Sequence, residues 1–156
     1  MKGDAEVIEV LNDVLTAELT AINQYFIHSM MCHNWRYERL AKHSHDESIG
    51  EMKHAQELIE RVLYLDGVPN MQRYMKVNVG QDVPEQHQFD LSLERDAVRR
   101  LNLGIELCRG KGDNGSRLLL ERILHEEEQH IDWLEAQLQQ IADIGAGNYL
   151  AQQIEE

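Results

Sequence analysis

The sequence predicts an all-α protein, a four-helix bundle with a long connection between the second and third helices and a short fifth helix. Apolar residues recur every three or four positions along four long segments. The two prolines, Pro69 and Pro84, lie close together between the second and third segments, so the segments themselves lack the strongest helix breaker. A chain of 156 residues with 42% hydrophobic content can bury one core, and residues 1–156 are therefore expected to form a single domain.

The first two helices follow from buried stripes at helical spacing. Apolar side chains from Val7 to Phe26 predict a first helix from about Asp4 to Cys32. A second series from Leu40 to Leu65 predicts the second helix, which ends at the turn formers of residues 66–69.

The third helix is expected to follow Pro84 and to end at the glycine-rich residues 110–115, and the fourth carries apolar residues from Leu120 to Ile141. Asn148 to Ile154 leaves room for a short fifth helix. Tight connections make each pair an antiparallel hairpin, while about fourteen residues between the hairpins can travel the length of the bundle. This is the ferritin-like arrangement, although short loops alone do not fix which hairpin packs where.

The charge and the cysteines restrict the partners and the compartment. With 28 acidic and 15 basic residues the formal charge is −13, which argues against nucleic acid and favours cations, although acidity also serves solubility alone. No apolar run reaches the ~20 residues of a membrane span, and the N-terminus lacks the pattern of a secretion signal. Cys32 and Cys108 form no CxxC pair, as is typical of a reducing cytoplasm.

Four carboxylates and two imidazoles interrupt the apolar stripes of the long helices. They are Glu18, Glu51, His54, Glu94, Glu127 and His130. Burying one unpaired carboxylate costs several kcal/mol, so four of them on inward faces require shared positive charge.

The spacing of these six residues makes the pattern specific. Glu18 and Glu94, Glu51 and Glu127, and His54 and His130 are each separated by 76 residues. Glutamate and histidine three residues apart lie side by side on one helix face, although such pairs also occur on solvated faces. Two such pairs with two single glutamates are the ligand set of di-iron bundles, and oxygen with imidazole donors suits iron or manganese.

The expected chemistry is two-electron oxidation of paired ferrous ions. Glu51 and Glu127 can bridge the two metals, with the other four residues as terminal ligands. Tyr25 lies seven residues after Glu18 on the same face, so its hydroxyl can hydrogen-bond a ligand; an ordinary core tyrosine fits the pattern equally well.

Met52 follows Glu51 by one residue, about 100° around the helix, and is therefore expected to point outward. Its face adjoins an apolar strip of the first helix that includes Leu19, Ile22 and Phe26, which indicates a partner subunit. Across a two-fold axis, two Met52 sulfurs can clasp a haem iron, although interface packing accounts for the methionine more simply.

Several segments along nearly the whole chain resemble the bacterioferritins. They are Met1-Lys-Gly-Asp4, Ala21-Ile-Asn-Gln-Tyr-Phe26, His54-Ala55 with Leu58-Ile-Glu-Arg61, Glu126-Glu-Glu128 to His130-Ile-Asp-Trp133, and Asn148-Tyr-Leu150. The resemblance implies a cage of twenty-four subunits assembled from two-fold dimers, a ferroxidase that uses O₂ or H₂O₂ at the six residues, and stored ferric mineral. It also implies haem b between subunits with Met52 as axial ligand, and a small ferredoxin as the electron donor.

Two departures from that family leave questions open. Asp46 and Gly50 stand where many members carry a histidine and an aspartate that hold iron on the inner surface, and His45 replaces a tyrosine beside the haem. Iron can therefore pass through the site or stay as a fixed cofactor, and the cage can be built from this subunit alone or with a second ferritin subunit. The alternative function is a di-iron or di-manganese oxidase or peroxidase of the ferritin-like superfamily that stores no iron.

Overall fold

The computed structural model describes residues 1–155 and contains five α-helices. They are α1 (Ala5–Asn34), α2 (Glu38–Tyr64), α3 (Val83–Gly110), α4 (Asn114–Ile144) and α5 (Ala146–Ala151). The first four form the bundle, residues 65–82 cross between the hairpins, and α5 packs against α4. The predicted all-α fold, with its long crossover and short fifth helix, is confirmed. Within residues 1–155, no helix has both the length and the apolar character that crossing a membrane requires.

Side-chain caps explain where three of the long helices begin. The carboxylate of Asp4 accepts hydrogen bonds from the backbone N–H groups of Glu6 and Val7, and Asp82 and Asp113 cap α3 and α4 in the same way. The third helix therefore begins at Val83, one residue before Pro84 and not after it. Proline is tolerated in that first turn because the N–H groups there have no partner within the helix.

The fifth helix also differs from its expected bounds. It occupies Ala146–Ala151, whereas the predicted segment was Asn148 to Ile154. Gly145, at a φ of 83°, turns the chain away from α4 and allows the new helix to begin immediately.

The two hairpins close with the same turn, 76 residues apart. Arg36 and Gly112 both adopt the left-handed conformation, with φ values of 68° and 72°. In each turn the next N–H bonds back to a cysteine carbonyl, Tyr37 to Cys32 and Asp113 to Cys108. The repeat in the sequence is therefore also a repeat in the backbone.

The crossover is fixed to α1 by polar side chains at every fourth position. They are Asn12, Thr16, Thr20, Gln24 and His28, which bond to residues 68–80 of the crossover. For example, the N–H of Met75 donates to the hydroxyl of Thr20 at 2.9 Å, and the N–H of Gly80 donates to the imidazole of His28 at 3.0 Å. These bonds satisfy backbone groups that have no helix or sheet of their own.

Two apolar clusters occupy opposite parts of the bundle. The larger contains Leu11, Leu58 and Leu120, and the smaller contains Cys32, Leu40 and Tyr149. The polar side chains of the candidate site lie along the helices between them.

Candidate metal centre

All six residues predicted as ligands are buried inside the bundle. Their exposed fractions run from 1% to 5%, for Glu18, Glu51, His54, Glu94, Glu127 and His130. Each of the four long helices supplies at least one of them, so the cluster depends on the packing of both hairpins.

Four of the six residues lie close together, with three glutamates around one imidazole nitrogen of His54. The Nδ1 atom of His54 lies 3.6 Å from Oε2 of Glu18, 3.7 Å from Oε2 of Glu51 and 3.2 Å from Oε1 of Glu127. One ligand atom from each of these four residues can be chosen so that all lie within 4.8 Å of one another. This is the separation expected of atoms that share a metal ion.

The other two residues lie on the far side of Glu127. Nδ1 of His130 is 3.4 Å from Oε1 of Glu94, and Glu127 is close enough for its charge to raise the pKa of Glu94. Glu127 therefore contacts both halves of the cluster, which is the position that a bridging carboxylate requires.

Burial and crowding shift the proton affinities of these groups. Burial, followed by the charge of Glu127, raises the pKa of Glu94 well above its usual value. Burial likewise raises the pKa of Glu18, and burial with the nearby Glu18 charge raises the pKa of Glu127. Burial opposes charge on His54, but the carboxylates of Glu127 and Glu18 outweigh it and raise the pKa to about 11. The site thus takes up protons where other positive charge is lacking.

Several buried atoms of the cluster have no hydrogen-bond partner. They are Oε2 of Glu18, Nδ1 of His54, Oε2 of Glu94 and Oε1 of Glu127. An unsatisfied buried polar group is costly, yet here four of them face one interior region. Carboxylate oxygens and imidazole nitrogens are donors that ferrous or manganous ions accept, so these residues fit a pair of such ions.

Tyr25 lies beside the second half of the cluster. Its hydroxyl donates a hydrogen bond to Oε1 of Glu94, and its ring meets that of His130 edge-on at 5.2 Å. Burial, followed by the charge of Glu94, raises the pKa of Tyr25, so the hydroxyl stays protonated and remains a donor. The equivalent position 76 residues on is Leu101, which is buried and makes no polar contact.

Three residues near the cluster were not predicted. Glu126 contacts Nε2 of His54, while Glu47 approaches Nδ1 of His130 at 3.5 Å and His43 lies next to Glu47. Spacing offered a signal for two of them, since His43 and Glu47 precede Glu51 by eight and four residues on the same helix face. The sequence gave no signal for Glu126, because the adjacent Glu127 was already assigned as the ligand in that turn of the helix.

The face around Met52 is exposed and partly apolar, as expected. Met52 is 52% exposed, Phe26 51% and Ile49 38%. Leu19, however, was wrongly assigned to the outer strip, because it is 6% exposed and belongs to the larger apolar cluster of the core.

The bundle, its crossover and the buried cluster of carboxylates and imidazoles define a ferritin-like protein. The family described as the ferritin-like domain matches residues 8–144. Bacterioferritin of Streptomyces coelicolor is 50% identical over 156 residues, which cover 100% of this chain and 93% of the relative. Bacterioferritin BfrA of Mycobacterium tuberculosis is 49% identical over 152 residues, or 97% of this chain and 96% of the relative. The chain belongs to the bacterioferritin family.

Proposed function

We propose that this chain is an iron-storage subunit with ferroxidase activity, and that its cluster oxidises Fe²⁺ with O₂ or H₂O₂. The observation that supports this most is the set of four buried, unpartnered ligand atoms that converge between the four helices. Bound cations stabilise excess buried carboxylate in its ionised form, and paired ferrous ions supply two electrons to the oxidant together.

The proposed roles combine the contacts with the helix positions. Glu18 and His54 would hold one ion and Glu94 and His130 the other, and Glu51 and Glu127 would be shared between them. The position of Glu127 between the two halves supports its role most directly. Glu126 keeps the outer nitrogen of His54 engaged, so that Nδ1 faces the cluster. Tyr25 orients Glu94 by donating its hydroxyl proton in a hydrogen bond.

The ferroxidase proposal is tested by replacing Glu127 and His130 together with alanine. The double variant should assemble normally and oxidise ferrous ion at least about a hundredfold more slowly, because both halves lose a ligand. The matched control replaces the exposed neighbours Glu128 and Gln129 and should behave as wild type. A double variant that oxidises iron at the wild-type rate would overturn the assignment.

The assembly proposed is a cytoplasmic cage of twenty-four subunits built from two-fold dimers, alone or with a second ferritin subunit. Haem b between two subunits would take Met52 as its axial ligand and receive electrons from a ferredoxin. The exposed Met52, Phe26 and Ile49 support a partner on this face. Light scattering should give a very large particle, whereas a dimer or small oligomer would favour a non-storage di-iron or di-manganese oxidase.

The haem proposal has its own test in the absorption spectrum. Haem absorption bands that disappear in Met52→Leu would identify Met52 as the haem ligand, and bands that remain in the variant would exclude it.

A further inference from the structure

We propose that His43, Glu47 and His130 form an additional site for a divalent transition-metal ion, at the edge of the buried cluster. One ligand atom from each of the three residues can be chosen so that all lie within 4.8 Å of one another. The metal-binding part stands on this geometry alone. The use of the site, which is to hold Fe²⁺ before it enters the cluster, rests on the proposed function.

The carboxylate of Glu47 lies between the two imidazole rings. Its Oε1 is 3.8 Å from Nε2 of His43, and its Oε2 is 3.5 Å from Nδ1 of His130. The same Nδ1 atom is 3.4 Å from Glu94. An ion bound by this group is therefore adjacent to the second half of the cluster. Because one ring nitrogen binds one ion, His130 serves either this site or the second half of the cluster at a given moment.

His43 presents an imidazole nitrogen that has no hydrogen-bond partner. Its Nε2 atom is buried and unsatisfied, although the residue as a whole is partly exposed. The ring stacks on Trp133, with centroids 3.4 Å apart and an angle of 12° between the planes, so its orientation is fixed. A held, unprotonated ring nitrogen is the form in which histidine binds metals.

The group is accessible from solvent, unlike the six-residue cluster. The side chains of His43 and Glu47 are 24% and 29% exposed. A surface pocket of about 350 Å³ reaches His43 and is lined by Arg39, His43, Trp133, Gln137, Gln140 and Gln153. An ion that arrives from solvent on this side therefore meets His43 and Glu47 before it meets Glu94.

The donor set indicates which ions are accepted. Two imidazoles with one carboxylate suit Fe²⁺, Co²⁺ or Zn²⁺, whereas Mg²⁺ and Ca²⁺ prefer oxygen ligands alone. Beside His43, the exposed charges of Lys42 and Asp46 form an ion pair at 2.8 Å and largely cancel each other, while the exposed Arg39 lines the same pocket.

The test uses Co²⁺ as a redox-inert probe of the assembled, metal-free protein. Crystals soaked in limiting Co²⁺ should show an anomalous peak between His43, Glu47 and His130, which weakens as the inner position beside Glu94 fills, since both positions use Nδ1 of His130. His43→Phe keeps the stacking on Trp133 but removes the ligand atom, and Glu47→Gln keeps the shape but removes the charge. Each should abolish the outer peak and slow Co²⁺ uptake by the inner cluster about tenfold, as measured by stopped-flow absorption.

The matched control is His33→Phe, because His33 also faces a glutamate, at 3.0 Å from Glu38, but belongs to neither group of ligand atoms. It should bind and take up Co²⁺ as wild type does, and all variants are compared at the same particle size. The inference is wrong if wild type shows no outer peak, or if both His43→Phe and Glu47→Gln take up Co²⁺ at the wild-type rate. If Co²⁺ binds only in the inner cluster and the protein oxidises ferrous ion, the outer site is wrong but the proposed function stands. If Co²⁺ binds at the outer site but the protein does not oxidise ferrous ion, the proposed function is wrong and the outer site stands.

Discussion

His54 and His130 occupy equivalent positions in the two halves of the metal cluster, yet they have different neighbours. The Nε2 atom of His54 contacts the exposed Glu126, whereas Nδ1 of His130 faces both the buried Glu94 and the partly exposed Glu47. Tyr25 adds a hydroxyl to the second half only.

The repeat of 76 residues explains why the halves differ. Counting by that offset, Glu126 corresponds to Gly50, Tyr25 to Leu101, and Glu47 to Ile123. The repeat thus preserves the ligands and the hairpin turns but not the residues around the ligands. The two metal positions should accordingly share their chemistry and differ in proton affinity, ligand orientation and access.

The largest expected effect concerns the whole cluster, which should make the metal-free protein less stable as the pH rises. A carboxyl group whose pKa is raised by folding, such as Glu94, stabilises the fold below its ordinary pKa and loses that contribution as the pH passes the raised value. The effect of His54 has the same direction. Its contribution to the stability of the fold is present below pH 6.5 and is lost as the pH rises toward the raised pKa of about 11.

Thermal unfolding of the metal-free protein should therefore show a melting temperature that falls on the order of 10 °C between about pH 5 and about pH 8. Bound Fe²⁺ under nitrogen, or Co²⁺, should remove most of that fall, because cations favour the ionised carboxylates. Glu94→Gln should also flatten the dependence, whereas the exposed Glu128→Gln should not. A pH dependence that metal leaves unchanged would contradict the account.

A smaller effect should separate the halves through Tyr25. Tyr25→Phe removes the hydroxyl that donates to Glu94, and a hydrogen bond to a charged group contributes about 1.5–3 kcal/mol. Ferrous oxidation, followed by stopped-flow absorption, should slow about tenfold, which corresponds to the loss of about 1.4 kcal/mol of that energy in the transition state. Leu101→Met, at the equivalent buried position, is the control and should leave the rate near that of wild type. Equal rates for the two variants would mean that Tyr25 is only a core aromatic.

The smallest effect compares the two hairpin turns. A side chain at a φ near 70° costs about 1–2 kcal/mol, so Gly112→Ala should lower the free energy of unfolding by about 1 kcal/mol, although the added Cβ has open space. Arg36→Gly should raise it, because glycine adopts this φ without strain, but only by about 0.5 kcal/mol, because the greater freedom of glycine in the unfolded chain offsets part of the gain. Denaturant unfolding midpoints measure both, and changes of the same sign would show that the turns are not equivalent.

The parts of the molecule that follow from local pattern were predictable from the sequence. Helix periodicity and the 76-residue offset required no knowledge of packing, and the structure brings Glu18, Glu51 and Glu127 together as that offset implied. Their role as metal ligands stays a prediction. The contact between Glu126 and His54 depends on which hairpins are adjacent, which short loops do not encode.

The path of the crossover was also not predictable from the sequence. Thr16, Thr20 and Gln24 are spaced four residues apart, and that polar stripe is visible in the sequence. The stripe binds crossover residues more than fifty positions away, through the guanidinium of Arg73 at Thr16 and through backbone N–H groups at Thr20 and Gln24. A chain segment without periodicity gives no indication of its path.

The central claim is that buried acids and imidazoles of this bundle are neutralised by two cations in each subunit. The most direct test is the crystal structure of the anaerobic protein loaded with Fe²⁺, read at the iron absorption edge. We predict two iron peaks inside the bundle, one beside Glu18 and His54 and the other beside Glu94 and His130, with Glu127 contacting both. An interior without iron, in which these side chains point to solvent, would contradict the account.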